Sequence, residues 1–372
     1  MSKKNVKTNL LNHSQAKVKL LGEYLKRYLN VISNDGYTKE INVFDLFCGE
    51  GLYENEGEGS PLVIMRAVKD IHFKNVSKSE FIPKINCFFN DIDSFKIEKV
   101  KSTIKLKSLY YEYFGELKFS NIDYKDYLQK LINKLNALKN EKAFIFIDPY
   151  EYKHIKTSHI KNLISNNKSE VLLWLPTQFM YRFESNGTPL ALKDFLEEIV
   201  PFEKWTSSDS VWGFINQMKE GFQNKIGDNY FVDSFTIQKD ESTVFCLFFF
   251  SPHIRGFEKM LETKWEIDKE QGKGWNYSGN QPSLFFQDKT NPLEENLSEF
   301  LSKATKTNGE IYVFTLRKSF LPKHTNEILK NWQQTSKLDV ILKNGQKARK
   351  GAFYINYRDY KNEFSKVTLR LK

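Results

Sequence analysis

Ile41-Asn-Val-Phe-Asp45-Leu-Phe47-Cys-Gly49-Glu-Gly51 is the stretch on which the reading of this chain turns. Residues 41–48 have the length and apolar character of a buried strand, and they run straight into two closely spaced glycines. A strand apolar on both faces predicts a mostly parallel sheet covered by helices on either side. Glycines beyond the carboxyl end of such a strand let the backbone approach a nucleotide-like ligand with no Cβ in the way. The loop from Gly49 to Ser60 is long and carries Glu50, Glu54, Glu56 and Glu58. Four carboxylates would repel a pyrophosphate and favour a ligand bearing a sulfonium cation. Ser60-Pro61 then supplies an N-cap and a first-turn proline for a helix.

Working outward, Val18, Leu21, Leu25 and Leu29 fall at helical spacing within Gln15–Leu29, an amphipathic helix ahead of the first strand. Downstream, strands expected at 85–90, 117–121, 143–147 and 171–175 alternate with helices at 94–109 and 124–138. Two further strands, 230–238 and 243–250, are joined by Lys239-Asp-Glu-Ser242, too short for a helical crossover, and read as an antiparallel hairpin. This is the order of elements in class I methyltransferases, an α/β Rossmann-like fold. The expected domains are residues 1–270 for the Rossmann-like part with its N-terminal helix, 271–296 for a Gly/Asn/Ser-rich linker, and 297–372 for a basic winged-helix-like domain. Within the last, helices are expected at 297–305 and 324–333, a strand at 310–316, and two short strands around Asn344-Gly345.

The candidate site follows from the strand ends. Asp45, Phe47, Gly49 and Gly51 form the cofactor loop. Asp91, in Asn90-Asp91-Ile-Asp93 at the tip of the second strand, can accept hydrogen bonds from both ribose hydroxyls, whereas Asp93 reads as a helix cap. Asp123 after the third strand is placed to bond the exocyclic amine of an adenine. Asp148-Pro149-Tyr150 ends the fourth strand: a carboxylate and a proline carbonyl can hold an amine with its lone pair toward an incoming methyl group, and the tyrosine ring can stack on a base. Nucleic-acid N-methylating enzymes carry D/N-P-P-Y/F here, so this chain is one proline short. Trp174 either walls the acceptor pocket or packs in the core. His154 and His159, five apart, do not share a helix face, and no metal site is expected.

The net charge of +10 is localised: residues 297–372 hold sixteen Lys and Arg against six Asp and Glu, and the remainder is neutral. A localised basic surface suits a phosphate backbone, with RNA or DNA the expected partner. Lys343, Lys347, Arg349 and Lys350 flank the Asn344-Gly345 turn as candidate phosphate contacts, and Phe353, Tyr354 and Tyr357 as rings that could stack on unpaired bases. The longest apolar run, Val244–Phe250, is too short to span a membrane, and the N-terminus lacks the apolar core of a secretory signal. A cytoplasmic protein is expected, with Cys48, Cys87 and Cys246 as buried free thiols.

Asp45-x-Phe-x-Gly-x-Gly51, Gly59-Ser-Pro61, Ile147-Asp-Pro-Tyr150, Phe249-Phe-Ser-Pro-His253 and Arg349-Lys-Gly-Ala-Phe-Tyr-Ile355 together resemble the three-Cys-motif partner (TcmP) proteins over most of the chain. The resemblance implies an S-adenosylmethionine-dependent methyltransferase-like domain with a C-terminal winged-helix part, encoded beside a three-cysteine protein similar to radical S-adenosylmethionine enzymes. The family pattern at the fourth strand is nearer D-P-F-G-Y, so Tyr150-Glu151 departs from it. Two functions are therefore expected as alternatives: methyl transfer to RNA or DNA, including N-methylation of a base, or a non-catalytic nucleic-acid-binding partner or regulator of the neighbouring protein in a phage-defence or mobile-element setting.

Overall fold

The computed structural model describes residues 12–77, 82–152, 155–182, 190–277 and 292–372. His154 and residues 278–291 of the expected linker lie outside the described residues, as does the basic N-terminal stretch. The chain divides into two compact units, Met1–Gly279 and Asn280–Lys372.

In the first unit, α1 (Asn12–Ser33) leads to β1 (Glu40–Asp45), α2 (Ser60–Val76), β2 (Lys84–Asn90), α3 (Ser94–Leu106), β3 (Leu117–Ser120) and α4 (Tyr124–Asn136). Then come β4 (Glu141–Ile147), α5 (Thr157–Ile164) and β5 (Ser169–Leu175). Helices α6 (Thr177–Arg182), α7 (Leu190–Ile199) and α8 (Val211–Ile226) precede the hairpin β6 (Phe231–Asp240) and β7 (Thr243–Ser251), followed by α9 (Ile254–Ile267) and β8 (Gly274–Asn276). The sheet order is β3-β2-β1-β4-β5-β7-β6-β8. β1 pairs in parallel with β2 and β4, and β7 runs antiparallel between β5 and β6. This is the strand order of the class I methyltransferase-like Rossmann fold, with β8 added in parallel outside β6.

The sequence dictates this sheet through the burial of its apolar strands. Every residue of β5 is buried, as are residues 143–147 of β4 and 246–251 of β7. Phe144, Phe146, Phe248 and Phe249 are inaccessible, each worth about 2–3 kcal/mol. One face is covered by α1, α2 and α9, and the other by α4, α5, α7 and α8. The four apolar residues that marked α1 are all buried.

The second unit contains α10 (Pro292–Lys303), β9 (Lys306–Thr307), α11 (Asn308–Arg317), α12 (Pro322–Gln334), β10 (Leu338–Leu342), α13 (Tyr357–Asn362) and β11 (Val367–Leu371). Its strands form an antiparallel sheet in the order β10-β11-β9. Helices followed by a strand, a long excursion and a returning strand make a winged-helix unit.

Four expectations are corrected. Residues 310–316 form a helix and not a strand: Thr307 and Glu310 make a reciprocal capping box that starts α11. Only one of the two strands expected around Asn344-Gly345 exists, because β10 pairs with the distant β11 and the turn keeps a single bridge, Ile341 to Lys347. Residues 274–276 are a strand in the expected linker, held by the edge of β6, and α10 already begins at Pro292. The cap of α2 is Gly59 and not Ser60.

Candidate functional site

Strand order reverses between β1 and β4, and the crevice at such a switch point is where open α/β sheets bind ligands. All the expected cofactor and acceptor residues lie at this edge, delivered by the tips of β1 to β4 and their loops.

Asp45 closes β1 and is fully buried. One carboxyl oxygen accepts from the Phe47 amide at 3.4 Å, while the other has no hydrogen-bond partner. Burial pushes this carboxyl up to about 7, partly opposed by the nearby Ser60 side chain and reinforced by the charge of Asp148. Gly49 (φ 64°) and Gly51 (φ 75°) hold left-handed backbone that disfavours any side chain. A Cβ at Gly49 would point into open space, with no atom within 4 Å. Gly51 is packed differently: its Cβ would lie 3.1 Å from Val100, so this glycine serves the packing of the loop on α3.

The acidic loop is less negative than its sequence suggests. Glu50 pairs with Lys99, and Glu58 takes a two-pronged pair from Arg66 at 2.5 and 2.6 Å with Lys107 at 3.5 Å. Repulsion of a pyrophosphate by four free carboxylates is therefore not a property of the folded loop.

Asp91 is buried and heavily engaged. It accepts from the Gly49 amide (3.0 Å), the Asp93 amide (2.9 Å) and the Tyr150 hydroxyl (2.7 Å). Asp93 caps α3 through the Phe95 amide, as its sequence position suggested. Asp123 does the same for α4, accepting from the Lys125 amide at 2.9 Å, yet it also lines a cleft. That cleft, about 150 Å³, is bounded by Leu46, Phe47, Ile92, Ile122 and Tyr150. Flat apolar walls with a carboxylate at the rim suit a purine-sized ring.

At the tip of β4, Asp148 meets a residue that no linear pattern announces. The Lys17 ammonium, from α1, donates to it at 2.5 Å and sits 4.9 Å from the centre of the Trp174 ring. Trp174 stacks on Phe245, and His13 also stacks on Phe245. Pro149 is half-buried beside them. Tyr150 reaches Asp91 beyond the tip of β2, and Lys96 of α3 donates to its hydroxyl at 2.7 Å. Lys17 and Lys96 were missed in the sequence because the first is 131 residues from its partner. The only sequence signal was a lysine inside the apolar stripe of α1. No group of three or more potential metal ligands exists among the described residues. The three cysteines are free and buried.

In the winged-helix unit, Lys343, Lys347, Arg349 and Lys350 are all exposed around Gly345. A cavity of about 250 Å³ lies between this excursion and α12, lined by Lys330, Gln333, Gln334, Lys350 and Gly351, with the Gly351 amide donating to Gln333 at 2.8 Å. The expected ring contacts are corrected: Phe353 is buried, and Tyr354 lies under the Lys366 ammonium at 4.1 Å. Core packing claims the first ring and a neighbouring cation the second.

Residues 268–345 match a family described as a GMT-like wHTH domain. No curated protein matches the chain. Among solved structures, a DUF519 protein from Legionella pneumophila is similar at 13% identity and TM-score 0.37, over 69% of this chain and 91% of its own. The methyltransferase domain of a bacterial protein, CtHen1-C, is similar at 15% identity and TM-score 0.30, over 62% and 97%. A Bacillus cereus O-methyltransferase in complex with SAH gives 11% and 0.34, over 62% and 80%. These likenesses are remote, and the fold assignment rests on the strand order of the chain itself. Among the described residues no helix is long and apolar enough to cross a membrane.

Proposed function

We propose that this chain is an S-adenosylmethionine-dependent methyltransferase acting on nucleic acid, and a member of the three-Cys-motif partner group that its motifs resemble. The observation that carries this reading is the buried oxygen of Asp45 without a hydrogen-bond partner, at the end of the strand that runs into a glycine loop whose Gly49 position is open. A buried carboxyl oxygen without a partner costs about 1–3 kcal/mol, and a cationic ligand arriving through the Gly49 opening would relieve it. The bound cofactor would supply an electrophilic methyl group.

The chain's own residues then divide the work. Asp91 would hold the ribose and the cleft by Phe47 and Ile122 the adenine, with Asp123 at its rim. Asp148 and Pro149 would orient the acceptor, and Asp148 would take its proton. Acceptor binding at Asp148 requires Lys17 to move or to share the carboxylate. The wing cations Lys343, Lys347, Arg349 and Lys350 would neutralise phosphates and position the polymer.

Titration calorimetry with S-adenosylhomocysteine tests the cofactor site. Micromolar binding that is lost in Gly49→Val and weakened about tenfold or more in Asp91→Ala is expected; no binding by the folded wild-type protein would defeat the reading. A second reading is favoured by the Lys17–Asp148 pair: the acceptor carboxylate is already taken, as in a non-catalytic partner that recruits a neighbouring three-cysteine protein. Methyl incorporation into RNA or DNA by the isolated protein would rule that out.

A further inference from the structure

We infer that Tyr150 guards the ribose-binding carboxylate, so that the cofactor must displace its hydroxyl from Asp91 and thereby frees the tyrosine for the acceptor. This rests on the cofactor reading above and adds an order of binding to it.

A carboxylate offers about four acceptor positions. In Asp91, one oxygen accepts from the Asp93 amide, and the other accepts from both the Gly49 amide and the Tyr150 hydroxyl. One position remains, and a ribose diol needs two. The two backbone donors cannot leave without unmaking the β1 loop and the entry to α3. Tyr150 can leave: it is 58% exposed, and its ring touches Phe47 only edge-on, with centroids 6.1 Å apart. It is the one donor of the three whose departure costs no fold.

Tyr150 is nevertheless held by more than Asp91. The Lys96 ammonium donates to the same hydroxyl and lies 4.4 Å from the ring centre, so the phenol is pinned between a cation and a carboxylate. Tyr150 also forms part of the wall of the cleft that would take the adenine. In this position its hydroxyl is engaged by Asp91 on the cofactor side of the crevice. The Tyr150 ring would not be free to stack on an acceptor base until the cofactor had loaded. Cofactor first and acceptor second is the order this geometry imposes.

The test is titration of wild type and Tyr150→Phe with S-adenosylhomocysteine, and with adenosine and dideoxyadenosine as a matched pair. Removing one competing hydrogen bond to a charged group should tighten S-adenosylhomocysteine binding by about three- to tenfold. The gain should extend to adenosine and be absent for dideoxyadenosine, which has no diol to compete for Asp91. Unchanged or weaker binding of S-adenosylhomocysteine by Tyr150→Phe, with wild type binding normally, overturns this inference and leaves the cofactor site standing. An equal gain for both nucleosides overturns it as well, since the tyrosine would then be obstructing the adenine cleft and not the ribose carboxylate. Absence of binding by both proteins defeats the cofactor reading and this inference with it.

Discussion

Glu170 is buried at the start of β5, at the opposite end of the strand from the candidate site. It accepts hydrogen bonds from Tyr24 of α1 and from Ser251, the latter at 2.6 Å. The two hydroxyls favour the carboxylate, but burial outweighs them and pushes the carboxyl from 4.5 up to about 7. A carboxyl whose folded pKa exceeds its unfolded value gains a proton on folding. Its contribution to stability is therefore full below about pH 4.5 and is lost as pH rises toward 7. Wild type should lose on the order of 3 kcal/mol relative to Glu170→Gln across that window, read as the difference in urea midpoints at each pH. A pH-independent difference would show that the group does not titrate there. Asp45 has the same sign of shift for the same cause, and there the consequence is functional. Binding of a cationic cofactor should strengthen as pH rises through about 7, and Asp45→Asn should flatten that dependence, measured by calorimetry at several pH values. Of these two, only Asp45 was legible in the sequence, because it ends an apolar strand before glycines. Glu170 is a lone carboxylate ahead of Val171, and nothing local says that Tyr24 will meet it from 146 residues away.

At the scale of elements, the parallel strands were legible because burial on both faces leaves them as continuous apolar runs. The hairpin was legible because four residues cannot carry a crossover. The strand expected at 310–316 failed for a physical reason that was also written in the chain. Ile311-Tyr-Val-Phe-Thr315 favours a strand by residue type, but Thr307-x-x-Glu310 immediately before it is a capping box, and a capped start with tertiary burial overrides β preference. Thr307→Ala should cost about 1 kcal/mol of stability in the winged-helix unit, measured by denaturation of the full chain. A second element-scale feature joins α9 to β6: the Lys264 ammonium donates to Asp233 with both side chains buried and Lys219 4.0 Å away. Removing one partner strands the other charge, so Lys264→Met should destabilise by about 3 kcal/mol. The double variant Lys264→Met with Asp233→Leu should recover most of that loss. A single variant with wild-type stability would mean that water already reaches the pair.

For the whole molecule, charge and chemistry are separated along the chain. The unit with the strand-tip carboxylates, residues 1–279, carries a net charge of only +2, and the winged-helix unit, residues 280–372, carries +8. On the proposed function, affinity for a polymer and specificity for an acceptor atom would fall to different units. Replacing Lys343, Lys347, Arg349 and Lys350 together by alanine should weaken nucleic-acid binding and lower the slope of log affinity against log salt by about 3 to 4, while S-adenosylhomocysteine binding stays as in wild type. An unchanged salt slope would move the polymer contact elsewhere.

The short strand β8 has a further consequence for how the protein behaves at high concentration. Without it, the middle of β6 would present free amides and carbonyls along the margin of a large sheet, an invitation to pairing with another molecule. Gly274 fits there because a Cβ would collide with Thr236, so the covering strand approaches more closely than a side chain would allow. Three residues beyond α9 thus act as a selvedge: they finish the fabric and keep one molecule from being woven into the next.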